Sequence, residues 1–204
     1  TKVCAAGESG RVIVARTADG IGEREIDGGE VPIRELAWVT QPPSIAAACA
    51  DGGVRIWPLD PQAATRVLAD TPPLVSLAVS ADGSRLATLS DSGLVQQWAL
   101  STDTPLQTFP GHAAGRGRVR FLADNLSLIS ASTDRTIRQV KGTALRSLRI
   151  AAGPITALAT AGNQVVVAVA DGSVRLVDVA GNAPPRTIAE GLAMPVSQIA
   201  IAPP

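Results

Sequence analysis

The sequence has few of the residues on which most catalytic and metal sites depend: one histidine, two cysteines and no tyrosine in 204 residues. A single histidine cannot supply a site built from several imidazoles, and two cysteines cannot form a disulfide framework. Basic and acidic residues balance at 18 each, which argues against general binding to nucleic acid or to membrane surfaces. The apolar runs are far shorter than the roughly 20 residues that cross a bilayer. We therefore expect a soluble globular chain with no metal and no cofactor.

Cys4 and Cys49 each lie within a stretch of small apolar residues, outside any C-x-x-C or Cys/His metal pattern. We predict that both are small buried core residues. One bridge between them is the alternative, and it requires their Cα atoms to lie within about 7 Å. No cellular compartment follows from this pattern. Because residue 1 is Thr rather than Met, we expect a processed chain or an excised domain.

A polar turn followed by a short strand recurs along the chain. The copies end at residues 14, 57, 98, 140 and 177, so successive copies are 43, 41, 42 and 37 residues apart. A regular interval of this length is typical of repeat architectures. The five copies are Glu8 to Val14, Asp51 to Trp57, Ser92 to Trp98, Asp134 to Val140 and Asp171 to Val177.

Each interval also contains three further runs that read as strands, and no segment shows a sustained helical period of apolar residues. The apolar runs that precede the turns are Lys2 to Ala6, Ile45 to Ala50, Arg85 to Ser90, Ser127 to Ser132 and Gln164 to Ala170. A more polar run follows each copy, the last being Arg186 to Ala189, and a second apolar run follows that. We predict four short antiparallel strands in each of the units 36–73, 74–113, 114–153 and 154–191, and the second, third and fourth strands of such a unit in 1–35.

A lone four-stranded sheet cannot bury two apolar faces, so successive units must stack face to face around an axis. The sequence therefore predicts an all-β fold, a β-propeller of about five blades in one domain, 1–204. A closing strand in 192–204, with Val196 to Ala202 as a first strand, would complete the first blade. Three arrangements stay open: a closed five-blade ring, part of a larger ring, and half of a ring made by two copies of the chain.

Several positions carry parts of a known repeat motif, although no repeat carries all of it. Gly111-His112 is a Gly-His pair, and Trp57 and Trp98 end third strands, although Pro58 and Ala99 follow them instead of Asp. Asp51, Asp134 and Asp171 stand at the repeated turn. These positions resemble the WD-repeat family. The resemblance implies a buried hydrogen-bonded set of His112, Ser130 or Ser132, and Asp134, with Val140 where the family has Trp.

The resemblance also implies a non-enzymatic scaffold that presents loops on one propeller face to a protein or peptide. Residues 116–149 carry a local excess of six positive charges, and Arg116 and Arg118 lie where a loop enters a first strand. Arginine binds carboxylates and phosphates in a bidentate manner, so an acidic partner fits. A solvated surface is the alternative. Nucleic acid is disfavoured because Phe121 is the one aromatic residue beside the patch.

The other candidate contact residues are Arg34, Trp38 and Thr133. Trp38 lies in a predicted first strand, where it is either an exposed anchor or, as we prefer, a core ring. Two other functions stay open: a ligand-binding or hydrolytic propeller with a site at the channel mouth, and a structural or assembly module. Hydrolysis needs several inward histidines or carboxylates, and His112 is the one imidazole available. We predict that the chain is not an enzyme.

Overall fold

The computed structural model describes residues 2–18, 21–68, 72–150, 153–162, 164–179 and 183–201. These residues form 19 β-strands and no helix, which confirms the predicted all-β fold. The described residues therefore include no helix that is long and apolar enough to cross a membrane.

Five antiparallel sheets follow one another along the chain. The first contains β1 (Lys2–Ala6), β2 (Arg11–Arg16) and β3 (Gly22–Asp27). The second contains β4 (Ile33–Val39), β5 (Ser44–Cys49), β6 (Val54–Pro58) and β7 (Arg66–Leu68). The third contains β8 (Leu74–Val79), β9 (Arg85–Ser90), β10 (Val95–Ala99) and β11 (Thr104–Phe109). The fourth contains β12 (Gly117–Phe121), β13 (Leu128–Ser132), β14 (Thr136–Lys141) and β15 (Ala144–Arg149). The fifth contains β16 (Ile155–Ala161), β17 (Gln164–Val169), β18 (Val174–Asp178) and β19 (Arg186–Ala189).

The apolar core lies between successive sheets as four separate clusters. Neighbouring residues of a strand point to opposite faces, so one strand serves two clusters. Ile45 and Ala46 of β5 are both fully buried, yet Ile45 packs toward the first sheet and Ala46 toward the third. The first strands also contact one another in chain order, β4 with β8, β8 with β12 and β12 with β16. This stacking is that of propeller blades.

The predicted closing strand, Val196 to Ala202, is not observed in the described residues, because the segment forms no strand up to residue 201 and Ala202 lies outside them. Residues 196–201 belong to no strand, and within the described residues nothing but β2 pairs with β1. The carbonyl of Val196 instead accepts a hydrogen bond of 2.6 Å from Thr156 Oγ1 in β16. The segment therefore lies beside the last sheet, and the first sheet has three strands in the described part of the chain.

The preference for Trp38 as a core ring is also corrected, because the residue is 36% exposed. In the strand register Trp38 is opposite Ile45, which is opposite Trp57, so the three side chains share one face of the second sheet. Ile45 and Trp57 pack against the first sheet. Among the residues that the structure describes, that sheet has no strand on the inner side of β1, so the inner end of this row, at Trp38, stays uncovered.

Three of the first strands carry a β-bulge at the same position. The pairing register shifts between Ile33 and Glu35 in β4, between Leu74 and Ser76 in β8, and between Ile155 and Ala157 in β16. A bulge adds one residue and turns its side chain away from the regular alternation. The added residues are Arg34, Val75 and Thr156. All three line cavities at one end of the first strands.

Candidate functional site

Four of the five predicted contact residues come together at the ends of first strands. A cavity of about 530 Å³, which we call the arginine cavity, is lined by Arg34 of β4, by Arg116 and Arg118 at the start of β12, and by Val75 and Asp91. A second cavity of about 240 Å³ shares Arg116 and Arg118 and adds Thr133. The two arginines thus stand between two adjoining cavities.

The second cavity, which we call the aliphatic cavity, has a different chemistry. Its remaining lining is mostly apolar and comes from β16, residues 155–158, and from residues 195–197 of the C-terminal segment. Arg116 and Arg118 therefore have an aliphatic surface on one side and a more polar cavity on the other. Trp38 lines neither cavity and lies at the opposite end of β4 from Arg34.

The arginines around these cavities differ in whether a carboxylate lies close enough to neutralise their charge. Arg34 Nη1 is 2.7 Å from Glu8 Oε1, on a largely exposed carboxylate. Arg118 Nη1 donates to the carbonyl of Gly117 at 3.2 Å, which is a neutral acceptor. Within the described part of the chain, neither Arg116 nor Arg118 has a carboxylate within ion-pair distance. Two uncompensated guanidinium groups therefore face the cavities.

Glu35 forms a contact that the sequence did not reveal. Its Oε2 accepts hydrogen bonds from Ser76 Oγ at 2.5 Å and from the Leu77 N–H at 3.0 Å, and its Oε1 accepts one from Arg120 Nη2 at 2.8 Å. Ser76 Oγ also accepts from the Val119 N–H at 3.1 Å. The network ties β4, β8 and β12 together below the arginine cavity. The signal was a pair of adjacent charged residues, Arg34 and Glu35, in an otherwise apolar strand.

The sole histidine is buried in a hydrogen-bonded set at the turn of the fourth sheet. His112 Nδ1 lies 3.1 Å from both carboxylate oxygens of Asp134 and 3.1 Å from Thr136 Oγ1, and its Nε2 lies 2.9 Å from Ser130 Oγ. An ionised carboxylate only accepts hydrogen bonds, so Nδ1 carries the proton and Nε2 accepts from Ser130. Ser130, rather than Ser132, is the partner from β13. Thr136 is a member that sequence reasoning missed.

The sequence around this set matches the family model described as "WD domain, G-beta repeat" over residues 103–139. That range includes Gly111, His112, Ser130 and Asp134, and the sheets stack as blades. The chain fits the WD-repeat propeller family. WD-repeat proteins are typically non-enzymatic scaffolds whose repeats mediate contacts between proteins. A comparison with curated proteins gives no match.

The Gly-His pair of the WD repeat has a steric basis. The His112 N–H donates to the carbonyl of Gly93 at 2.8 Å, which brings the loop before β12 against the turn of the third sheet. A Cβ atom on Gly111 would stand only 1.4 Å from that Gly93 oxygen. Residue 111 therefore has to be glycine for His112 to reach Asp134.

The environment of the set keeps the imidazole neutral and the carboxylate ionised. Burial lowers the pKa of His112, and the nearby Asp134 opposes this effect without reversing it. Burial by itself would raise the pKa of Asp134, but hydrogen bonds from the Thr136 hydroxyl, the Thr136 N–H and the Ala113 N–H bring it below its usual range. A neutral histidine locked between two partners serves structure rather than proton transfer.

The other repeat-motif residues lie in turns or in the core. The Asp51 and Asp171 carboxylates accept from the N–H two residues later, Gly53 at 3.0 Å and Ser173 at 2.9 Å, as Asp134 does from Thr136. The aromatic and aliphatic members are buried: Trp57, Trp98 and, in the place of the third Trp, Val140. These WD-repeat positions shape blades and leave the contact surface to other residues.

The part of the chain that the structure describes contains no metal-binding cluster and no activated thiol. No three residues among its His, Cys, Asp and Glu lie close enough to hold a metal ion. Cys4 and Cys49 are free thiols in one apolar cluster, and burial raises the pKa of both. A raised pKa keeps the unreactive thiol form dominant.

Proposed function

We propose that the chain is an interaction scaffold that binds an acidic protein or peptide segment at the face formed by Arg34, Arg116, Arg118 and Thr133. The observation that carries the proposal is the position of Arg116 and Arg118, between two cavities and, among the described residues, without carboxylate partners. A guanidinium group binds a carboxylate through two parallel hydrogen bonds, which gives both affinity and orientation.

The rest of the site supports a rigid platform for such a partner. The His112 set and the Gly93 contact hold the loop that leads into Arg116, and the Glu35 network holds the strands beneath it. Thr133 N–H also donates to the Arg116 carbonyl at 3.0 Å. A backbone that is already held in one conformation loses less conformational entropy when a partner binds.

The experiment is a titration of the full chain with a fluorescein-labelled decapeptide of alternating Glu and Ser, followed by fluorescence anisotropy. Arg116→Glu with Arg118→Glu should raise the Kd about tenfold or more, because two attractive contacts become repulsive. Added salt should weaken binding to the native chain.

The matched control is Arg149→Glu with Arg186→Glu, which changes the net charge equally on the exposed outer strands β15 and β19. The control should keep the native Kd apart from a small long-range effect. Equal losses in the two double variants would show that only total charge matters, and the proposed face would have to be abandoned.

A further inference from the structure

The C-terminal segment lies across the proposed binding face. Residues 195–197 form part of the wall of the aliphatic cavity beside β16, residues 155–158. Residues 197–199 then border a third cavity of about 340 Å³, together with Arg34, Glu35, Arg118 and Arg120. The segment therefore crosses from the last sheet toward the arginines of the second and fourth sheets.

Little holds this segment in place. Thr156 Oγ1 donates to the Val196 carbonyl at 2.6 Å, and within the described residues this is the one hydrogen bond of residues 195–201. Val196 and Ile199 are half-buried, whereas Pro195, Ser197 and Gln198 are exposed. Two aliphatic side chains and one carbonyl are thus the points of attachment.

The charge of the segment does not match its surroundings. Ser197 and Gln198 border the cavity to which Arg34 and Arg118 also belong, and neither residue is charged. The segment supplies Val196 to the aliphatic part of the face, but it offers the guanidinium group of Arg118 no carboxylate from any of its described residues. A segment of the same shape with carboxylates at these two positions would fit better.

We propose that residues Pro195–Ile199 are an internal ligand of the partner-binding face. The partner is then a peptide segment with aliphatic side chains in the places of Val196 and Ile199 and with acidic side chains in the places of Ser197 and Gln198. It binds by displacing the internal segment. This inference rests on the proposed function, because it uses Arg118 on the same face.

The test uses two labelled peptides and the full chain. One peptide reproduces residues 193–201, and the other carries Ser197→Asp and Gln198→Glu. The acidic peptide should bind about tenfold more tightly than the native one, as expected for charge-assisted hydrogen bonds. Val196→Gly with Ile199→Gly in the protein removes the internal anchors and leaves unchanged the cavity-lining residues of β4, β12 and β16. That variant should bind the acidic peptide about fivefold more tightly than the native protein, because less of its site is occupied.

Met194→Gly is the matched control, since Met194 is 76% exposed and lines none of the three cavities. It should leave the Kd of both peptides unchanged, and circular dichroism should show native β content in every variant. Arg118→Glu should abolish the preference for the acidic peptide.

Two outcomes would overturn the internal-ligand proposal while the proposed function stands. In one, the acidic peptide binds the native and the double-glycine proteins equally, still in an Arg118-dependent manner. In the other, neither segment peptide binds, although the Glu-Ser decapeptide still requires Arg116 and Arg118. If the decapeptide also binds without those arginines, the proposed function itself is wrong and the internal ligand falls with it.

Discussion

Arg120 Nη2 lies 2.8 Å from Glu35 Oε1, although the two residues are 85 positions apart in the chain. The second oxygen of the same carboxylate bonds to Ser76 Oγ and the Leu77 N–H in the third sheet. One side chain thus satisfies donors from two other sheets. Other polar contacts also bridge neighbouring sheets, as Arg24 does to the Pro58 carbonyl and Arg66 to the Leu100 carbonyl. The Glu35 carboxylate acts at the first strands and helps to set how they align.

Replacement of Glu35 by Ala should lower the free energy of unfolding by about 2 kcal/mol, because the Arg120 guanidinium and the Leu77 N–H lose their acceptor in a partly buried site. Urea unfolding monitored by circular dichroism gives the value. Glu25→Ala is the control, since Glu25 pairs with Arg11 where both side chains are more than half exposed. An exposed pair should contribute less than about 1 kcal/mol, and equal losses would mean that the Glu35 network has no special role.

His112 should make stability depend on pH in the mildly acidic range. Burial lowers its pKa in the folded chain, whereas an unfolded chain protonates histidine near pH 6.5. The unfolded state therefore binds more protons below that pH. The stability from the neutral imidazole is fully present above about pH 6.5 and is lost as the pH falls toward the lower folded pKa.

Urea midpoints at pH 7.5, 6.5 and 5.5 test this expectation. The native midpoint should fall between the last two values, and His112→Gln should show a flatter profile from a lower starting stability. His112 is the only histidine of the chain, so no other imidazole can contribute. A parallel fall in both proteins would assign the pH dependence to other groups. Aspartates with lowered pKa, such as Asp134, add their own loss at still lower pH.

Replacement of the carboxylate by an amide should lower the free energy of unfolding more at Asp134 than at Asp171. Both oxygens of Asp134 accept hydrogen bonds, from Thr136 on one side and from the Ala113 N–H on the other. Asp134→Asn would place an NH₂ group against a donor, and we expect a loss of about 2 kcal/mol. The two bonds from Ser173 both reach Oδ1 of Asp171, which an Asn carbonyl can replace, so Asp171→Asn should cost less than about 0.5 kcal/mol. Thermal unfolding of the two variants side by side would show whether the costs differ.

Gly111→Ala should destabilise the loop before β12. The new Cβ would overlap the Gly93 carbonyl, so the backbone must move and the His112 contact is weakened, at a cost of about 3 kcal/mol. Gly7→Ala is the control, because a Cβ there meets no atom within 4 Å. Urea unfolding that gives the same midpoint for both variants would contradict this steric account.

The strand pattern was predictable because it depends on local sequence. β1, β9 and β19 have the bounds that alternating composition and turn residues indicate, Lys2–Ala6, Arg85–Ser90 and Arg186–Ala189. The grouping of Arg116, Arg118 and Thr133 followed from their place at the start of a first strand and in the turn after the second. Such features can be predicted from the repeat interval and from the antiparallel order of the strands within each unit.

What the sequence did not reveal depends on contacts between distant positions. Glu35 reaches Ser76, 41 residues away, only because the bulge at Arg34 shifts the register of β4. Trp38 lies in a row with Ile45 and Trp57 that faces the first sheet. An inner strand in the first sheet would bury Trp38 as well. The C-terminal segment has a strand-like sequence, yet it bonds through Thr156 of the last sheet. Local patterns cannot choose between such competing neighbours.

The three bulges separate cavity-lining residues from the interior of the fold. Arg34, Val75 and Thr156 are extra residues in their strands, and none of them is fully buried. Exchange of these side chains leaves the alternation of the flanking core residues unchanged. A designer could randomise these three codons to obtain new binding specificities on one scaffold, and natural sequences can diverge at them by the same route.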